Sequence, residues 1–277
     1  MEVIIVESTA EVGLHGANAV DAAVAHNPDA VIGVSTGSSP LAVYAELARR
    51  VAAGSVSLGR ITAFALDEYL GLPLDHPQSY AAFIRLEVTT RLRLDATRVH
   101  VPDGNTSDPE ATCAAFERAI DAAGGIDVQI LGIGSNGHIG FNEPTSSLSS
   151  RTRIKTLSEE TREDNSRFFN GVEDVPTRCI TQGLGTILDA RHVVLLAQGA
   201  HKADAVAHAI EGPLSSMCPA SVLQLHPHVT VVLDQDAASN LTLGAYYRQA
   251  YLARSRQEVS STTDHRSIRE VAGDRHF

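Results

Sequence analysis

The stretch GIGSNGHIGFNEP, residues 132–144, sets one imidazole, one carboxylate and two amides among four glycines. His138 is the side chain type that takes up and returns a proton near neutral pH. Glu143 or Asn136 could orient its ring and fix its tautomer, as partners do in catalytic triads. Glycines at 134, 137 and 140 would let the loop fold tightly around a reacting molecule. The competing reading is a surface turn whose histidine bonds only to backbone. A second group lies in LDEYLGLPLDHPQSY, residues 66–80. Asp67 there could serve as a general base, its acidity tuned by partial burial. Alternatively Asp67 caps a turn and Glu68 is solvated, since aspartate is favoured in turns for its own backbone bonds.

Two further groups suit an anion. STGSSP, residues 35–40, combines small residues with a helix start, so that free N–H groups there and the helix dipole could hold a phosphate. Ser38 or Ser39 is expected to cap that helix, with Pro40 in its first turn. No P-loop lysine follows, so ATP is not implied. The plain alternative is an ordinary capped turn. Arg167 in NSRFF and Lys202 in GAHKADAV could clamp the same phosphate. Lys202 falls in the first turn of an expected helix, where a cation is unfavourable unless an anion binds. SSLSSRTRIKT, residues 146–156, reads either as a second anion site or as a charged surface strand. His226 and His228 are assigned to a turn before a strand, without a metal role.

These groups need a scaffold. AVIGV (30–34), ITAFAL (61–66), DVQILGIG (127–134), VVLLAQG (193–199) and VTVVLD (229–234) are near-continuous apolar runs, and helical patterns such as LAVYAELARRVAAG follow several of them. Such runs suit strands buried on both faces, and their alternation with helices implies a mostly parallel sheet. In open α/β sheets ligands bind beyond the carboxyl ends of the strands. The polar motifs at those ends are therefore expected to converge on one crevice.

Bulk properties narrow the function. The chain has 277 residues, 43% hydrophobic and 20% charged, which fits a globular protein with a substantial core. With no linker or repeat, one domain over 1–254 is expected, followed by a polar, flexible tail over 255–277. A net charge of −11 without a Lys/Arg cluster argues against nucleic acid. No apolar run approaches the ~18 residues of a membrane span. The start, MEVIIVESTAEVG, has no basic segment, so no secretory leader and a cytoplasmic location are expected. Three scattered cysteines, and no C-x-x-C or H-E-x-x-H spacing, argue against zinc.

Taken in order, TGSSP, LDEYLGLPLDHPQSY, GSNGHIGFNEPTSSLSSRTRIKTLSEETREDNSRFF, GLGTILDA and LQLHPH closely resemble the glucosamine-6-phosphate deaminase family, over residues from about 30 to about 245. The resemblance implies a Rossmann-like three-layer α/β/α fold and conversion of glucosamine 6-phosphate and water to fructose 6-phosphate and ammonia in amino-sugar catabolism, without metal or cofactor. It assigns pyranose opening to His138, supported by Glu143 and Asn136, and the C2-to-C1 proton transfer to Asp67. Thr36, Gly37, Ser38, Ser39, Arg167 and Lys202 match its phosphate positions. Many relatives carry Asp where this chain has Asn136, which can still bond and orient the ring but carries no charge. Ser146, Arg153 and Lys155 match an intersubunit site where N-acetylglucosamine 6-phosphate activates hexameric relatives, so either a regulated hexamer or a monomer is open. The rivals are a 6-phosphogluconolactonase-like hydrolase and a non-catalytic sugar-phosphate sensor. A sensor of the transcription-regulator type would need a helix-turn-helix segment, which neither end offers.

Overall fold

The computed structural model describes residues 1–254 and 256. The tail expected over 255–277 therefore lies outside the described residues, apart from residue 256.

Ten strands run in chain order: β1 (Glu2–Val6), β2 (Val31–Val34), β3 (Thr62–Ala65), β4 (Asp67–Tyr69), β5 (Val99–His100), β6 (Val128–Gly132), β7 (Arg153–Thr156), β8 (Arg178–Thr181), β9 (His192–Ala197) and β10 (Val229–Asp234). The helices are α1 (Thr9–His26), α2 (Leu41–Ala52), α3 (Tyr80–Ile84), α4 (Pro109–Ala122), α5 (Glu159–Ser166), α6 (Leu184–Leu188) and α7 (Ala203–Ile210). A further helical stretch covers 244–254.

Seven strands form one sheet in the order β1-β10-β9-β6-β2-β3-β5, and every pairing in it is parallel. Side chains alternate between its faces, as strand geometry requires. Val3, Phe64, Leu131, Leu195 and Val231 join Phe116 and Ile120 of α4 and Val206 of α7 in one core. Ile4, Ile32, Ile130, Leu196 and Val232 join Val12 and Val20 of α1 and Val43 and Leu47 of α2 in the other. The result is the expected three-layer α/β/α arrangement. Burial on both faces explains why the central strands read as unbroken apolar runs.

Strand order reverses between β2 and β6. From β2 the chain moves outward through β3 to β5, while β6, β9, β10 and β1 lie on the other side. The carboxyl ends of β2 and β6 thus diverge over a crevice, the usual ligand position in such sheets. A second sheet, antiparallel and in the order β4-β8-β7, sits beside it. Thr181 of β8 pairs with Asp67 of β4 on one side and with Arg153 of β7 on the other.

Candidate active site

The loop after β2 begins the site. Helix α2 is capped by Pro40, with no side-chain cap bond. The expected capping by Ser38 or Ser39 does not occur: both precede the cap, and they contribute carbonyls only, Ser38 O accepting from Leu41 N–H at 3.3 Å and Ser39 O from Gln198 Nε2 at 3.3 Å. Their side chains are left to line the crevice together with Thr36 and Gly37. Gly37 has φ +90°, and open space surrounds its missing side chain, so glycine is needed there for backbone conformation alone.

Lys202, from the loop after β9, is the N-cap residue of α7, and Arg167 is the C-cap of α5. Both line the same cavity as Thr36–Ser39. Burial lowers the Lys202 pKa, Asp164 raises it and Arg167 lowers it again. A partly desolvated lysine beside a second cation, at a helix start, is set to gain from a bound dianion.

Asp67 follows directly from β3 through Leu66, so the parallel sheet delivers it to the crevice. It is 5% exposed and lines the cavity. Burial pushes its pKa up to about 8, Glu68 adds to the rise, and the Phe141 backbone N–H opposes it. Glu68 is buried rather than solvated. Its carboxylate accepts from Tyr69 N–H (2.8 Å), Tyr80 N–H (2.9 Å) and Ala81 N–H (2.7 Å), which pins the start of α3 to β4. Tyr80 thereby reaches the cavity wall, its ring stacked against Phe141 at 5.7 Å and 14°.

His138 lies on the loop after β6. Its ring packs so closely on Gly134 that a Cβ there would come within 2.3 Å of an imidazole carbon. The Asn136 side-chain oxygen accepts from the His138 backbone N–H at 3.1 Å and lies 2.7 Å from His138 Nδ1. A backbone N–H can only donate, so that amide atom is the oxygen, and Nδ1 must carry a proton to meet it. The neutral ring then presents its lone pair on Nε2. Asn136 Nδ2 donates to Glu143 Oε2 at 2.9 Å, and Ser158 N–H donates to Glu143 Oε1 at 3.1 Å. Burial lowers the His138 pKa, Glu143 raises it and Lys202 lowers it. The imidazole is thus held neutral and competent as a base.

One cavity therefore gathers Thr36, Gly37, Ser38, Ser39, Asp67, His138, Arg167 and Lys202, from loops after β2, β6 and β9, the start of β4 and the end of α5. Asn136 and Glu143 do not line it; they stand behind His138 as a hydrogen-bonded chain. Ser146, Arg153 and Lys155 also lie away from it. Ser146 is buried, and Arg153 Nη1 donates to Asn142 Oδ1 at 2.8 Å. Lining residues that sequence reasoning did not single out are Tyr80, Phe141, Thr161, Asp164 and His201. Tyr80 stood inside the quoted QSY, but nothing in its spacing marks it. His226 and His228 precede β10 as expected, with His226 Nε2 bonded to Ala190 O at 2.7 Å.

Comparison with known proteins bears directly on this geometry. The family described as glucosamine-6-phosphate isomerases/6-phosphogluconolactonase matches residues 6–232. The chain belongs to that family. A glucosamine-6-phosphate deaminase of Cutibacterium acnes is 59% identical over 248 residues, covering 90% of this chain and 95% of the relative. One of Arthrobacter sp. (strain FB24) is 57% identical over 251 residues, covering 91% and 96%. A solved structure described as a monomeric glucosamine-6-phosphate deaminase superposes with a TM-score of 0.85 at 40% identity, covering 87% of this chain and all of that one. A 6-phosphogluconolactonase from Trypanosoma cruzi matches with a TM-score of 0.71 at 22% identity, over 87% and 97%, and so shares the fold.

Proposed function

We propose that the protein converts glucosamine 6-phosphate and water to fructose 6-phosphate and ammonia. The observation that carries this reading is a single cavity holding a buried carboxylate, an imidazole with a fixed tautomer and a cationic cradle. Thr36, Gly37, Ser38, Ser39, Arg167 and Lys202 hold the phosphate. His138 Nε2 accepts the anomeric hydroxyl proton and returns it to the ring oxygen, opening the pyranose. Asn136 and Glu143 keep Nδ1 protonated and the ring in place. Asp67 removes the proton from C2 and delivers it to C1 through an enediol-type intermediate. Water then adds at C2 and the amine departs as ammonia, best when protonated. General acid–base groups of this kind each contribute about 10²–10⁴-fold.

The test is ammonia release from glucosamine 6-phosphate by the purified protein without added metal. Hydrolysis of 6-phosphogluconolactone with no ammonia would overturn the reading. A cytoplasmic setting accompanies it: Cys113, Cys179 and Cys218 are all free thiols, and no helix among the described residues is long and apolar enough to cross a membrane.

Ser146, Arg153 and Lys155 form, in this reading, a second site for N-acetylglucosamine 6-phosphate as activator. The Ser146 hydroxyl and Arg153 Nη2 are buried without a hydrogen-bond partner, so their donor capacity is unused in this conformation. Added activator should raise or sharpen activity in the parent and not in Arg153→Ala. An equal, flat response in both would leave these residues structural.

A further inference from the structure

Asp67 differs from the other carboxylates around the cavity. Asp164 accepts from Ser135 Oγ at 2.9 Å and is exposed, while Glu143 accepts from Asn136 and Ser158. Asp67 is 5% exposed and forms no ion pair among the described residues. Its neighbours give it no counter-charge from any side. Glu68 adjoins it on β4 with a like charge, and Tyr69 and Tyr80 carry neutral phenols. On β8 it meets Thr181 by pairing and the Cys179 thiol nearby. The loop after β6 brings the Phe141 N–H close, though that N–H donates to Thr181 Oγ1 at 3.1 Å, and His138 on that loop is held neutral. Lys202 and Arg167 line the cavity without pairing to Asp67. A buried carboxylate with no counter-ion costs several kcal/mol to ionise, so such a group stays protonated until a cation arrives. Yet the proposed role needs it ionised.

We propose that the C2 ammonium of the substrate is the missing counter-ion of Asp67, so that this residue selects amino-sugar phosphates over their C2-hydroxyl counterparts. The inference rests on the deaminase reading and adds an electrostatic basis for its specificity. When the amino sugar binds, the Asp67 carboxyl loses its proton to solvent and pairs with the ammonium. The base is then generated beside the C2 hydrogen it must remove. A C2-hydroxyl sugar phosphate fits the same cradle but brings no charge, and Asp67 stays protonated. Such a ligand binds without being isomerised.

The test compares two open-chain ligands without a carbonyl, 2-amino-2-deoxyglucitol 6-phosphate and glucitol 6-phosphate, by calorimetry in buffers of different ionisation heat. Their phosphates are the same, so differences between them report on C2. At pH 7 the amino ligand should release close to one proton more than the hydroxyl ligand. It should also bind at least about 10-fold tighter, with the ratio growing from pH 6 to pH 8. In Asp67→Asn both differences should collapse. The parent enzyme's pH series stands alone if that variant does not fold. Equal affinities and equal proton counts in the parent would overturn the inference. Ammonia release, measured on the same preparation, separates this outcome from failure of the deaminase reading itself.

Discussion

The side-chain oxygen of Asn136 accepts from both the backbone N–H and the Nδ1 of His138, at 3.1 and 2.7 Å. A neutral amide thus sets the imidazole tautomer, and Glu143 is hydrogen-bonded to the ring only through it, while its charge acts on the ring across space. The direct Nδ1 to Glu143 Oε2 separation is 3.8 Å. Replacing Asn136 by Asp would put a charge against Nδ1 and stabilise the imidazolium. The acid limb of kcat/KM should move to higher pH in Asn136→Asp, with the fold unchanged. Asn136→Leu should cost about 10²–10⁴-fold in kcat, the range for a mispositioned general base. An unshifted pH profile in the Asp variant would remove the tautomer argument.

Asp67→Asn should bind a C2-hydroxyl sugar phosphate almost normally, lose the added affinity for the amino sugar, and turn over at least about 100-fold more slowly, as measured by steady-state kinetics. Its burial also has a stability signature. The folded-state pKa, about 8, lies above the ordinary 3.8, so the folded protein holds a proton that the unfolded chain releases between those values. Stability from this group is therefore complete below pH 3.8 and falls as pH rises through about 8. Melting curves should place Asp67→Asn above the parent at pH 8, with the gap closing towards pH 4.

Glu68→Gln should reveal two separate effects. Gln cannot satisfy three backbone N–H groups as a carboxylate does, so a loss of roughly 1–3 kcal/mol in unfolding free energy is expected. Removing its charge also relieves Asp67, so the kcat/KM acid limb should move to lower pH. KM should rise because Tyr80 is no longer held at the cavity wall. Chemical denaturation and a pH series on one variant check all three.

Lys202→Ala should weaken phosphate binding with little effect on the fold. One charge-assisted contact contributes about 1.5–3 kcal/mol, which corresponds to roughly 10–150-fold in kcat/KM. Inorganic phosphate, as a competitive inhibitor, should lose affinity in parallel. A change confined to kcat would place Lys202 in the chemistry instead.

Much of this was legible in the residues. The β2, β3, β6, β9 and β10 runs stood out because burial on both faces leaves them no polar alternation. Asp67, His138 and Lys202 stood at their ends, where sheet topology sends ligands. Other parts left little trace. Helix α1 is rich in Ala, and Gly13 and Gly16 sit against Ala42 and Val43 of α2, so its apolar stripe is faint. Strands β4, β7 and β8 are three or four residues long and carry charges, and only their mutual pairing makes them a sheet. Arg167 comes from a helix end, not a strand end. The Pro40 cap displaced the expected serines because proline already has the dihedral that a first turn requires. Burial of Glu68 is a tertiary outcome that no local pattern encodes.

Thr181 shares one rung of the small sheet with Asp67 and Arg153, so these two side chains are each one strand away from the same residue. An isotopic label at Thr181 would therefore report on both places at once. Its resonance should respond separately to occupancy of the crevice and to occupancy of the Arg153 side, giving a spectroscopic readout of communication between them that does not depend on turnover.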